Sequence, residues 1–149
     1  MSSPHELVNP DALPSAIGFS HAVVASPGRL VAIAGQVAQG PDGEIVGSSI
    51  EEQFDVAAAN VVRALEGAGA RPDHVISLLI FTTDVEAYRA RSRAIGDAYR
   101  RHFGRHFPAM ALLGASALFD QKAKVELVAT AVVPDGNEGA SRKTEGTEG

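Results

Sequence analysis

Glu126 stands in a run, residues 125–133, that is otherwise almost wholly apolar: Val-Glu-Leu-Val-Ala-Thr-Ala-Val-Val. An extended chain alternates its faces, so the face of Glu126 continues through Val128, Thr130 and Val132. A carboxylate on that face must reach water, a donor or a cavity. Partial burial raises a carboxyl's proton affinity and suits it to general acid or base work. Taken alone, the run is read more simply as a strand-end glutamate beside Lys124 on the same face.

Other candidates carry less chemistry. His102 and His106 have the i, i+4 spacing of a zinc-binding helical pair, but Gly104 separates them and no HExxH accompanies them. They read as surface histidines at a helix end. His21 could line a pocket but has no partner in the sequence. Gly35-Gln36-Val37 follows a strand but lacks the spacing of a phosphate loop, and no GxSxG elbow exists. No motif calls for a metal or cofactor. With no cysteine, disulfides, thiolate metal sites and a cysteine nucleophile are excluded.

On one continuous helix, Arg89, Arg93 and Arg100 would form a basic stripe. A solvated face with local salt bridges to Asp97 is the simpler reading, and the net charge of −5 argues against a nucleic-acid partner.

The elements that must position these residues are short. Residues 19–25 and 30–35 read as two strands of a hairpin around Ser26-Pro27-Gly28-Arg29. Ser49 reads as a helix N-cap, with Glu52 at the capping-box position. Ile50, Phe54, Ala58, Val61, Leu65 and Ala68 then recur at helical steps, and Gly67 and Gly69 supply the stop. Residues 74–82 are apolar on both faces, the pattern of a central strand. Thr83 is the expected cap of a second helix whose inner stripe is Val85, Tyr88, Ser92, Ile95 and Tyr99, ending near Phe103-Gly104. Residues 109–115 and 124–133 are the last strands.

This order predicts an α+β domain, two helices on one face of a mixed sheet. The other face is apolar too, so a chain of 149 residues must cover it with another copy. Residues 1–14 read as a polar segment, 15–133 as the domain and 134–149 as a disordered tail. No apolar run is long enough to span a membrane, and the N-terminus does not read as a signal peptide, so the expectation is a cytoplasmic protein.

Several segments, in order, resemble the RidA/YjgF family, which includes proteins named endoribonuclease L-PSP. They are Pro14-Ser15-Ala16-Ile17-Gly18, Ala34-Gly35-Gln36-Val37, the run 78–85, Phe107-Pro108-Ala109 and the run 125–131. The resemblance implies a chorismate-mutase-like fold and a homotrimer with small-molecule clefts between subunits. It also implies hydrolysis of imines or enamines. In the best-known members an arginine after Phe-Pro-Ala grips the substrate carboxylate, and a last-strand glutamate positions the attacking water.

Glu126 falls on that glutamate; the arginine is replaced by Met110. Methionine offers no donor to a carboxylate, which implies a less polar ligand. Ser20 stands where the family often has tyrosine, Ala34 replaces the serine of Ser-Gly-Gln, and Val128 replaces a second glutamate. The expected site is therefore Glu126 as catalytic group, with Gly35, Gln36, Met110, Phe19 and Phe81 binding substrate. A non-catalytic metabolite-binding or protein-interaction module on the same scaffold is the alternative.

Overall fold

The computed structural model describes residues 2–136. Two short strands open the chain, β1 (Glu6–Val8) and β2 (Ala22–Val24). Then come β3 (Gly28–Ala32), α1 (Ile50–Gly67) and a 3-10 turn (Pro72–His74). They are followed by β4 (Val75–Thr82), α2 (Val85–Ala90), α3 (Ser92–Phe103), β5 (Ala109–Gly114) and β6 (Val125–Pro134). The main sheet runs β3-β6-β4-β5, and β1 and β2 form a separate ribbon. Only β4 and β5 are parallel in the main sheet; β6 is antiparallel to β3 and β4. The mixed α+β architecture is as expected.

Ser49 caps α1, its side chain accepting from the Glu52 N–H at 3.2 Å. Glu52 returns its carboxylate to the Ser48 N–H, one residue earlier than in a standard capping box. The α1 face of Phe54, Val61 and Leu65 packs with Ile95 and Phe103 of α3 against Leu78, Ile80, Leu127 and Ala129. One sheet face is thereby sealed.

The opposite face carries Ser77, Leu79 and Phe81 from β4 and, in register with them, Thr130, Val128 and Glu126 from β6. Ala109, Ala111 and Leu113 extend the same rows across β5. Leu79 and Leu113 are 36% and 41% exposed there. Among the described residues this apolar face has no helix over it.

Four sequence expectations change. The hairpin does not form, because β2 pairs with β1 while β3 pairs with β6. Buried His5 holds that arrangement: its Nδ1 accepts from the Ser26 N–H and its Nε2 bonds Val132 O. The opening segment is therefore structured. The second helix breaks at Arg91 (φ −108°, ψ 18°), and Asp84, not Thr83, caps its first part. Arg89 and Arg93 thus lie on separate helices, so the continuous stripe does not form. Finally, the domain runs past 133: Pro134 closes β6 and the Asp135 N–H bonds Pro27 O. The rest of the expected tail, 137–149, lies outside the described residues.

Candidate functional site

A β-bulge makes room for the Glu126 side chain. The Ile33 N–H donates to Ala129 O at 3.0 Å, and Gln36 exchanges both backbone bonds with Leu127 at 2.8 and 2.9 Å. Three residue steps along one strand therefore face two along β6, with the extra residue at Ala34–Gly35. A Cβ built on Gly35 would overlap Glu126 Oε1 and stand 2.8 Å from its Cδ and 3.1 Å from its Cγ. The carboxylate lies against bare backbone, in space only a glycine leaves open.

On its other side Glu126 pairs with Phe81 of β4. Such neighbours have Cβ atoms about 4.5–5.5 Å apart, so the two side chains leave the sheet side by side on the open face. Among the described residues no donor bonds Glu126, which is half-buried. Glu126 forms no ion pair with Lys124, its neighbour on the strand; Lys124 lines another cavity with Ser49, Asp84 and Arg91. The result is a carboxylate with free acceptor capacity, set against Gly35 and beside the strand neighbour Phe81, able to hold a water or a polar ligand group.

Of the expected site residues, the fold brings Glu126, Gly35 and Phe81 together. Met110 is turned away. It pairs with Leu78, whose side chain lies in the sealed core, three residues from the Phe81 that pairs with Glu126. Odd separations in a strand point to opposite faces, so Met110 and Glu126 do not share a pocket within one chain. Gln36 pairs with Leu127 and shares its helix-facing side; its amide donates to Ala34 O and lines a cavity with Asn60 and Arg63 of α1. Only its backbone borders the Glu126 site. Phe19 lies beyond the outer edge of β5, where Ser20 donates to Pro108 O and Phe107 O. Its ring meets His21 edge-on at 5.1 Å. Strands β4 and β5 separate it from Glu126.

Met110 lines a cavity of about 160 Å³ under α2 and α3. Phe54, Ile80, Tyr88, Ile95 and Phe107 form its apolar wall, and Ser92 and Arg100 add polar groups. Burial pushes the Tyr88 hydroxyl up to about 12, so it stays a protonated donor. Sequence reasoning placed Tyr88 and Ser92 only on a packing stripe. Their closeness to Met110 depends on the sheet register, which the sequence does not print.

The histidine pair separates as well. His102 Nε2 meets Asp55 Oδ1 at 2.8 Å, while buried His106 bonds Val75 O at 2.7 Å. His21 is engaged by Pro14 O.

With this geometry, comparison with known proteins becomes specific. The family model described as endoribonuclease L-PSP matches residues 9–133. The chain belongs to the Rid/YjgF family. A Rid family protein of unknown function, YyfB from Yersinia pestis, is 32% identical, with a TM-score of 0.79 over 87% of this chain and 98% of that one. A YjgF/YER057c/UK114 family member from Mycobacterium tuberculosis is 28% identical, with a TM-score of 0.58 over 87% of this chain and 99% of that one. Protein DfrA of Myxococcus xanthus is 32% identical over 84% of this chain and 93% of its own length. In this Rid protein the mixed sheet and its helices follow the family's fold, and no described helix is long and apolar enough to cross a membrane.

Proposed function

We propose that three copies of this Rid protein close into a ring. Each open sheet face is covered by a neighbour, and small-molecule clefts form between them. The support is the apolar face of Leu79, Val128 and Leu113, which one chain leaves uncovered. It also explains why Glu126 and Met110 do not meet within a chain. In the ring, the Glu126–Gly35–Phe81 side of one subunit works with the Met110–Phe19 edge of the next.

The reaction in this reading is hydrolysis of a C=N bond. An enamine first tautomerises to its imine. Glu126 accepts a proton from water as the water oxygen bonds to the carbon of the protonated imine, giving a neutral carbinolamine. Glu126 then passes that proton to nitrogen, the C–N bond breaks as the hydroxyl proton returns to Glu126, and a carbonyl compound and ammonia leave. The observation that carries this is the unpartnered Glu126 carboxylate held against Gly35. Met110 and its apolar cavity support a substrate other than a simple amino-acid imine, since a carboxylate would lack its guanidinium fork there.

A cytoplasmic location without nucleic acid is part of the proposal, supported by the cysteine-free composition and the net charge of −5. The apolar Met110 cavity also favours a second reading, in which the clefts bind a metabolite or partner without turnover.

The test is ammonia release from freshly generated imines, from 2-aminoacrylate to bulky and uncharged ones. Activity on uncharged or apolar imines, with Met110→Arg gaining 2-aminoacrylate, supports the enzyme. Inertness of both proteins across the panel overturns it; thermal stabilisation without turnover would then favour the binding module.

A further inference from the structure

Tyr88 of α2 brings an unpaired donor to the Met110 cavity. Its ring is held in place: it meets Phe54 of α1 edge-on, with centroids 6.3 Å apart and planes at 74°. Its hydroxyl has no hydrogen-bond partner among the described residues. Tyrosine hydroxyls withdrawn from bulk water usually find one. Burial pushes this hydroxyl up to about 12, which keeps its proton in place. It is not sealed, however. Among the described residues the side-chain atom that is both sealed from water and unpaired is Glu51 Oε2, elsewhere in the fold, so water reaches the Tyr88 oxygen. A half-buried O–H, unpaired and reachable, thus lines a cavity.

The other side-chain donors of that cavity are engaged or peripheral. The Tyr99 hydroxyl donates to His106 O. Arg100, half-exposed, is paired through Nη2 with Asp97. Ser92 is exposed at the start of α3. The walls of Phe54, Ile80, Ile95, Phe107 and Met110 carry no side-chain donor. A carboxylate among these walls would give up its water for one neutral donor and no free opposite charge, which is costly. A neutral carbonyl oxygen is met by a single O–H. The volume of about 160 Å³, roughly that of five waters, admits an amide or methyl ester group and little more.

We propose that the Tyr88 hydroxyl is the specificity-determining donor of the Met110 cavity and selects α-imino amides and esters over α-imino acids. It donates to the neutral carbonyl next to the C=N carbon, while Met110 and the aromatic walls exclude the carboxylate. The inference rests on the C=N hydrolysis reading and names the substrate class for that same site.

The test is hydrolysis, by the full chain, of freshly generated 2-iminopropanamide, 2-iminopropanoate and butan-2-imine. These differ only in carrying an amide, a carboxylate or an ethyl group on the C=N carbon. Binding of the carbonyl products pyruvamide, pyruvate and butan-2-one is followed alongside by ligand-observed NMR, which needs no turnover. The amide imine should have a kcat/KM about tenfold above both others, the yield of one hydrogen bond, and pyruvamide should bind tightest. Tyr88→Phe keeps the ring and should keep the Tm. It should raise KM for the amide imine about tenfold, with kcat within about twofold, and leave butan-2-imine unchanged. A merely structural Tyr88 would move the Tm or all three substrates together. Equal kcat/KM for the amide and ethyl imines, a preference for the carboxylate, or an unchanged KM in Tyr88→Phe would overturn the assignment and leave hydrolysis standing. Tyr88-dependent binding of pyruvamide without turnover of any imine would uphold the donor and overturn hydrolysis. Neither binding of pyruvamide nor turnover would overturn both.

Discussion

The carboxylate of Glu126 occupies the space that a side chain on residue 35 would fill. The glycine is thus a condition for the glutamate's position. Gly35→Ala should push the flexible carboxylate aside and leave the fold in place, because the Cβ meets a side-chain end and no backbone atom within its three nearest contacts. The expected stability change is within about 1 kcal/mol, by denaturant titration. Imine turnover should fall at least tenfold. Unchanged turnover in a folded Gly35→Ala protein would detach the bulge from the site.

The open sheet face gives a second expectation. Leu79 lies on it between Val128 and Ala111. Leu79→Glu puts a charge where the ring needs apolar contact, while a lone chain already exposes this position. Light scattering should show a mass near three chains for the wild type and one for the variant, with unchanged far-UV circular dichroism. A variant that stays trimeric would place the assembly contact elsewhere.

Much of this layout is legible in the sequence where signals are local. Ser49 with Glu52, the doubly apolar 74–82 run and the Gly104 stop all decide structure within a few residues, and the elements form there. Strand partners are not local. β3 reads like half a hairpin, but its mate is β6, some hundred residues on. The bulges hide too. One between Val75 and Ser77 moves Val75 to the sealed face, against the simple alternation. The other, at Ala34–Gly35, did leave a signal, since a glycine inside a strand pattern often marks a bulge. Met110 shows the limit: its identity was readable, but its direction depends on a parallel register with Leu78.

Gln53 should be costly to remove. It is a buried amide with three hydrogen bonds that joins the 47–49 and 122–124 segments. Gln53→Ala leaves the Lys124 N–H and two carbonyls short of partners, at a cost of about 2–4 kcal/mol. Denaturant unfolding checks this. A change under 0.5 kcal/mol would mean the clamp is redundant.

Stability should also depend on pH through His106 and His74. Burial lowers the proton affinity of both below the usual histidine value of 6.5, despite Asp73 nearby. The unfolded chain therefore binds protons more readily than the folded one as pH falls below 6.5. Their contribution is full above that pH, is lost as pH falls, and levels off below the folded-state values. Thermal melts should drop between pH 7 and 5, and His106→Gln, which keeps a donor for Val75 O, should flatten that slope. A slope identical in wild type and variant would remove His106 from this account.

The most direct measurement compares hydrolysis of the best uncharged imine by wild type and Glu126→Gln at equal concentration. Glutamine keeps the shape beside Gly35 and loses the base. Removing a positioned base costs about 10²- to 10⁴-fold, so the variant should lose at least a hundredfold in rate while melting like the wild type. A folded Glu126→Gln protein within twofold of the wild-type rate would contradict the assignment of Glu126 as the catalytic group.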